Sequence, residues 1–128
     1  MKIVWVDDDI DIIDPVIEPL QDDYDITRFR TVWEALNEVE TLQSCDLILL
    51  DMIIPPGEGE DQFGYYSGAS LLRVLREEHS VTAPVIVFSV VDPRKMHEQL
   101  ATLNVAKYVR KPALPSELKD AVGAVLGA

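Results

Sequence analysis

The sequence predicts an α/β fold, a doubly wound five-stranded parallel sheet built by five strand–helix repeats and covered by helices on both faces. Three observations predict it. Short apolar runs recur at Ile3-Val4-Trp5-Val6, Leu47-Ile48-Leu49-Leu50, Val85-Ile86-Val87-Phe88 and, more briefly, Tyr108-Val109. They do not alternate with polar residues, which is how strands buried on both faces read. Helical patterns separate them, and strands alternating with helices make a parallel sheet. The chain has 128 residues and is 48% hydrophobic, which suits one packed core and a single domain over 1–128.

The elements follow in order. The first run stops at Asp7-Asp8-Asp9. The helix expected between Ile10 and Gln21 carries Pro15 and Pro19. Asp14 can cap a helix that starts at Pro15, but Pro19 then removes an interior hydrogen bond, so this helix is expected to be kinked or to start late. A weaker strand spans 24–30, where Tyr24, Ile26 and Arg28 alternate with polar neighbours. Thr31-Val32-Trp33-Glu34 reads as a capping box, and Ala35, Leu36, Val39 and Leu42 continue it at helical spacing. The run Leu47–Leu50 ends at Asp51. Ala69 to Glu78 puts Leu71, Leu72 and Leu75 on one helical face. A fourth helix is expected over 94–103, with Asn104 suited to a left-handed stop. The last covers 116–126, with Ser116 as its cap and Pro115 just outside. There is no repeat, low-complexity tract or linker, and with the last helix running to residue 126 an output domain is not expected in these 128 residues.

Composition narrows the function. The formal net charge is −12, which argues against direct nucleic-acid binding and against docking on anionic membranes. The single cysteine, Cys45, excludes an internal disulfide. The apolar stretch at the N-terminus is four residues long and stops at acids, so it is neither signal peptide nor membrane span. A cytoplasmic location is the expectation. His79 and His97 make no metal-binding pattern. Charge is unevenly spread: residues 1–25 hold nine acids against Lys2, and residues 94–119 hold six bases against Glu98 and Glu117. Such a split reads either as two solvated faces or as a cation site near one end and a partner surface near the other.

Ligands of open α/β sheets sit at the carboxyl ends of the strands. Here those ends carry Asp7-Asp8-Asp9, Asp51, Ser89 and Lys111-Pro112. Carboxylates brought together resist ionisation. A hard divalent cation resolves the conflict, and Mg2+ needs few protein oxygens because it keeps its waters. Carboxylates, Mg2+, a lysine and a hydroxyl together suit a phosphoryl group. Taken singly, each residue has a plainer reading. A strand-end aspartate often caps a turn, three acids suit a helix N-terminus, and Ser89 or Lys111 alone says little. Their joint occurrence at four strand ends is what points to chemistry.

The segments Lys-Ile-Val-Trp-Val-Asp-Asp-Asp (2–9), Asp-Leu-Ile-Leu-Leu-Asp-Met-Ile-Ile-Pro (46–55), Pro-Val-Ile-Val-Phe-Ser (84–89) and Ala-Lys-Tyr-Val-Arg-Lys-Pro (106–112) resemble a stand-alone receiver domain of a two-component response regulator. The resemblance covers nearly the whole chain. It implies a flavodoxin-like sheet of strand order 2-1-3-4-5. Asp51 resembles the phosphoacceptor. Asp8 and Asp51 resemble direct Mg2+ ligands, with Asp7 acting through a water and Ile53 offering its backbone carbonyl. Ser89 resembles the switch hydroxyl, Tyr108 its aromatic partner, and Lys111 the lysine that neutralises the phosphoryl group. The implied protein is not an enzyme beyond catalysing its own aspartyl phosphorylation and dephosphorylation. Its implied partners are a sensor histidine kinase or histidine phosphotransfer protein and a separate output protein, with a phosphorylation-dependent homodimer as one route out. The switching surface would combine the fourth helix, fifth strand and fifth helix. Ile53 and Val91 occupy positions where polar residues orient a hydrolytic water, and Val90 is bulkier than usual there, so a long-lived phosphorylated state is expected.

The sequence departs from that family between Asp51 and Gly68, where sixteen residues stand and about half as many are usual. The extra stretch, about 54–67, is rich in Gly and Pro and reads as a surface loop or as a lid using Phe63, Tyr65 and Tyr66. Glu58, Glu60 or Gln62 are placed to restore a polar group to the site. Three rivals are weaker. A haloacid-dehalogenase-like phosphatase needs an acid–base two residues after the nucleophile, where Ile53 stands. A flavodoxin-like cofactor binder needs a phosphate cradle where Asp7-Asp8-Asp9 stand. A receiver-like interaction scaffold that takes no phosphate stays open because of the insertion.

Overall fold

The computed structural model describes residues 1–57 and 63–127, with backbone alone over 10–14. The elements are β1 (Lys2–Val6), α1 (Ile10–Gln21), β2 (Asp25–Phe29), α2 (Val32–Asn37), α3 (Val39–Ser44), β3 (Leu47–Leu50), α4 (Ser67–Glu78), β4 (Val85–Ser89), α5 (Pro93–Leu100), β5 (Val105–Arg110) and α6 (Pro115–Leu126). The strands form one sheet in the order β2-β1-β3-β4-β5, and every neighbouring pair is parallel.

Successive strand residues face opposite sides, so each run splits between two cores. Val4, Val6, Ile48, Leu50, Val85 and Val87 pack with Leu42, Leu71, Leu72, Leu75 and Met96. Ile3, Trp5, Leu47, Leu49, Ile86 and Phe88 pack with Ile17, Leu20, Leu118 and Val122. The register positions the site. Val6 lies opposite Leu50, and Leu50 opposite Val87, so β1 and β3 end level and release their next residues, Asp7 and Asp51, side by side.

Several boundaries differ from expectation. α1 does not start late: it begins at Ile10 and contains both prolines. Pro15 and Pro19 are four residues apart and so share one face, and Pro15 is exposed. The single helix expected after Thr31 is two, broken at Glu38. Thr31 does cap, accepting the Glu34 N–H at 3.0 Å, but the Glu34 carboxylate reaches back to the Arg30 N–H, also at 3.0 Å. The fourth expected helix is α5; it ends at Leu100, and a turn carries the chain to Asn104, which adopts φ 56°. α6 starts at Pro115 rather than behind Ser116. A proline is pre-organised for the first helical position, and Pro93 opens α5 in the same way behind Asp92. Leu114 donates its N–H to the Glu117 carboxylate at 3.2 Å. β5 is longer than its apolar core because it is the edge strand, with Ala106, Lys107 and Arg110 exposed.

Candidate functional site

Two backbone hydrogen bonds carry the acidic strand ends beyond the sheet. Asp7 N–H donates to the Phe29 carbonyl at 3.0 Å, and Asp51 N–H to the Val6 carbonyl at 3.1 Å. From the other side, Lys111 N–H donates to the Ser89 carbonyl at 2.8 Å, immediately before the cis bond to Pro112. That anchor turns the lysine inward. Its ammonium donates to Asp7 Oδ2 at 2.7 Å and to Asp51 Oδ2 at 3.2 Å. Asp7, Asp51, Ser89 and Lys111 are all buried, although they are polar or charged.

The remaining oxygens are held by backbone. Asp51 Oδ1 accepts from the N–H groups of Met52 (2.7 Å) and Ile53 (3.4 Å), and Asp7 Oδ1 accepts from Asp9 N–H (2.8 Å). Behind Asp51, Gly68 at the start of α4 donates its N–H to the Met52 carbonyl at 2.9 Å. A Cβ on Gly68 would stand 1.9 Å from the Asp51 carbonyl oxygen, so only glycine lets α4 approach this closely. Ser67 ties the same loop, its hydroxyl donating to the Ile54 carbonyl (2.6 Å) and accepting the Ile54 N–H (2.9 Å).

One ammonium does not balance the acids. Carboxylate oxygens of Asp7, Asp8, Asp9 and Asp51 lie within 4.8 Å of one another. Burial, then the charge of Asp51, pushes the Asp7 carboxyl up to about 6, against the pull of Lys111. Asp8 is raised by burial and by Asp9. Burial alone would lower Lys111, but its hydrogen bond to Asp7 and the charges of Asp51 and Asp7 hold it above its ordinary value. These donors are hard oxygens with surplus negative charge, which fits a divalent cation of the Mg2+ type. Both oxygens of Asp7 are already engaged, whereas Asp8 is exposed.

Comparison with known proteins agrees with this arrangement. The family described as the response regulator receiver domain matches residues 3–123. The chain belongs to that family. It is 29% identical over 126 residues to the transcriptional regulatory protein CiaR of Streptococcus pneumoniae (strain ATCC BAA-255 / R6), a match covering 98% of this chain and 51% of CiaR. The chain thus spans about half the length of that curated relative. Among solved structures it resembles the receiver domain of the Francisella response regulator 1452 (27% identity, TM-score 0.77, covering 98% of this chain and 96% of that one). It also resembles the BeF3-activated N-terminal receiver domain of Klebsiella pneumoniae RstA (25% identity, TM-score 0.75, covering 100% of both chains).

In this receiver domain the other expected site residues lie just after β3, at the end of β4 and on β5. Ile53 touches Asp51 through its N–H. The Ser89 hydroxyl, fully buried at the end of β4, accepts from Val91 N–H at 3.3 Å. Tyr108, half-buried on β5, donates its hydroxyl to the Val91 carbonyl. Burial pushes that phenol up to about 12, with the Ser89 hydroxyl pulling the other way. The sequence places Asp9 in the acidic run but not among the expected metal ligands, whereas its carboxylate lies with those of Asp7, Asp8 and Asp51. Ser67 is not legible in the sequence, because its loop-tying role needs a bond across 13 residues that spacing does not reveal.

The receiver's long loop after β3 is anchored rather than free at its start. The carbonyls of Pro55 and Pro56 accept the N–H groups of Val32 and Trp33, each at 3.0 Å, which satisfies two donors in the first turn of α2 that have no partner within the helix. Gly57 follows at φ +85° against Thr31 and Trp33. At the far end, Phe63 and Tyr66 pack against the core, while Tyr65 is exposed and stacks edge-on with Tyr66 at 5.0 Å. Of the aromatics expected to form a lid, Tyr65 is the one left largely uncovered. Glu58, Glu60 and Gln62 lie outside the described residues.

Proposed function

We propose that this receiver domain is a phosphoacceptor of two-component signalling, taking a phosphoryl group onto Asp51 from a histidine kinase, a histidine phosphotransfer protein or a small phosphodonor. The observation that carries this reading is the buried Lys111 ammonium bridging Asp7 and Asp51, a fixed positive charge beside a nucleophilic carboxylate. Asp51 Oδ attacks phosphorus, and the bond from phosphorus to the donor nitrogen or oxygen breaks. Lys111 faces the charge that builds on the phosphoryl oxygens. Asp8, Asp51 and the Ile53 carbonyl would hold Mg2+, with Asp7 acting through a water; when bound, the ion supplies further neutralisation of those oxygens.

The signal leaves by a shift between two packings. The Ser89 hydroxyl turns toward the phosphoryl group, Tyr108 gives up the Val91 carbonyl and moves inward, and the surface of α5, β5 and α6 changes. Exposed Arg94, Lys95, Lys107 and Lys119 lie on these elements, which suits an acidic partner, a separate output protein or a second copy of the chain. The buried acceptor cluster favours this reading over a scaffold that takes no phosphate. The test is mass spectrometry after incubation with acetyl phosphate, with and without Mg2+. A phosphoryl adduct that needs Mg2+ and disappears in Asp51→Asn is the expected result; no adduct with any donor supports the scaffold instead.

A further inference from the structure

A recess of about 290 Å³ opens beside the acceptor, lined by Ile53, Tyr65, Tyr66, Val90, Val91, Asp92, Lys95 and Arg110. It is continuous with the chemistry, because Ile53 donates to Asp51 Oδ1 and Val91 to the Ser89 hydroxyl. Part of its outer rim is formed by large apolar side chains left exposed. Tyr65 is 73% exposed and Val90 57% exposed, two of the five large hydrophobic side chains left exposed among the described residues. Two cations, Lys95 and Arg110, line the same recess. The recess also holds the Asp92 carboxylate, but Arg94 pairs with it at 2.7 Å and Arg110 approaches it at 3.8 Å. The Lys95 ammonium has no carboxylate partner among the described residues. The recess therefore mixes an apolar wall of Tyr65, Tyr66 and Val90 with placed charges, and its volume lies just below the usual range for small-ligand sites, which suits a ligand of one ring.

We propose that this recess is a leaving-group subsite that makes the protein select aromatic acyl phosphates among small phosphodonors. The proposal rests on Asp51 being the phosphoacceptor. An ionised Asp51 attacks the phosphorus of an aryl acyl phosphate dianion, and a new bond forms between Asp51 Oδ and phosphorus. The bond from phosphorus to the acyl oxygen breaks, with its electron pair going to the departing carboxylate. Negative charge is conserved and no proton is required. The ring of the departing acid lies against Tyr65, Tyr66 and Val90, and its carboxylate faces Lys95 and Arg110. Acetate is too small to use the apolar wall, and phosphoramidate brings no carboxylate.

The test compares adduct formation from benzoyl phosphate, acetyl phosphate and phosphoramidate, at equal concentration with Mg2+, in the wild type and in Tyr65→Ala. Tyr65 is exposed, so its truncation is compatible with folding. Burial of one ring against the wall predicts roughly a tenfold benzoyl-over-acetyl preference in the wild type, with that ratio collapsing toward one in Tyr65→Ala. Independently of phosphorylation, NMR titration with benzoate should move the resonances of Tyr65, Val90 and Arg110 more than acetate does, and Lys95→Met should weaken those shifts. A wild type that reacts with both acyl phosphates equally, a ratio unchanged by Tyr65→Ala, or benzoate shifts no larger than acetate shifts would each overturn the proposal. Absence of an adduct from all three donors would instead bring down the phosphoacceptor reading, and the donor selectivity with it.

Discussion

The two ends of the sheet each bury part of a cation, and they treat it oppositely. At the amino ends of β4 and β5, Arg76 of α4 donates to four backbone carbonyls: Leu103 (3.0 Å), Val81 (2.9 Å), Ala83 (2.8 Å) and Asn104 (3.3 Å). Burial lowers its pKa, and no carboxylate bond answers its charge among the described residues. It is a neutral-partner staple that fastens α4 to the loops entering two strands. At the carboxyl ends, Lys111 meets two carboxylates directly, with two more close by. The first end is satisfied and closed. The second carries more negative charge than its lysine can answer, an imbalance that favours a cation and that, under the proposed function, a bound cation would correct before a phosphoryl group arrives. Buried charge in a fold is therefore not one kind of feature; the partners decide whether it holds the structure or leaves a site unbalanced.

Exchanging the two cations for alanine should separate the two roles. Lys111→Ala should slow adduct formation from acetyl phosphate about 10²–10³-fold, the usual loss for one positioned charge-stabilising donor. Arg76→Ala should leave that rate near wild type but destabilise the fold by roughly 1–3 kcal/mol in urea unfolding, because partly buried carbonyls lose charged donors. If Arg76→Ala slowed the reaction as much as Lys111→Ala, the division between the two ends would fail.

The contrast was half legible in the sequence. The carboxyl end announced itself because its residues follow directly on apolar runs, and parallel strands bring such positions together whatever the helices do. Asp7, Asp8, Asp51, Ser89 and Lys111 were all found that way. Arg76 was not, because it sits in an amphipathic helix where a surface arginine reads the same and its four acceptors are backbone atoms, which carry no sequence signal. The break at Glu38 was equally hidden, since apolar spacing continues through it. Pro15 and Pro19 do not delay α1, which begins at Ile10, because the two hydrogen bonds they remove fall on one face.

Mg2+ should sharpen the contrast in stability. A ligand that binds only the folded state at 100 times its Kd adds about 2.7 kcal/mol, so the melting temperature should rise with Mg2+ near neutral pH. Asp8→Ala should abolish that rise, and by removing one repelling charge it should melt no lower than wild type without metal. The sign with pH follows from Asp7. Its folded carboxyl titrates at about 6, above the unfolded value, so between about pH 4 and 6 the folded state holds a proton that the unfolded state has released. Metal-free stability should therefore fall as pH rises through that window, by on the order of 2–3 kcal/mol, and the stabilisation by Mg2+ should widen over the same interval. Melting curves at pH 5 and 7 that show equal Mg2+ shifts would contradict this.

A smaller effect concerns the apolar side of the acceptor. Ile53 and Val91 flank Asp51 and Ser89 without a side-chain hydrogen-bonding group. Supplying one orienting bond to water is worth roughly 1–3 kcal/mol, about 10- to 100-fold in rate. Ile53→Asn should speed decay of the phosphorylated protein after donor removal by that factor. Equal decay, or faster decay in the wild type, would place the water-orienting group elsewhere. Smallest at the site itself is the effect of Tyr108→Ala. That variant should still take phosphate at Asp51 but lose the phosphorylation-dependent change in partner binding or dimerisation, read by size-exclusion chromatography or pull-down; failure to take phosphate would move Tyr108 from signal output to the acceptor site.

The central claim is that the unbalanced end of the sheet makes Asp51 the acceptor, and one measurement tests it directly. Borohydride reduces an aspartyl phosphate to homoserine. Protein treated with acetyl phosphate and Mg2+, then reduced, digested and sequenced by tandem mass spectrometry, should carry homoserine at position 51 and unmodified aspartate at 7, 8 and 9. Homoserine at another aspartate, or none in protein that has gained phosphate, would contradict the account.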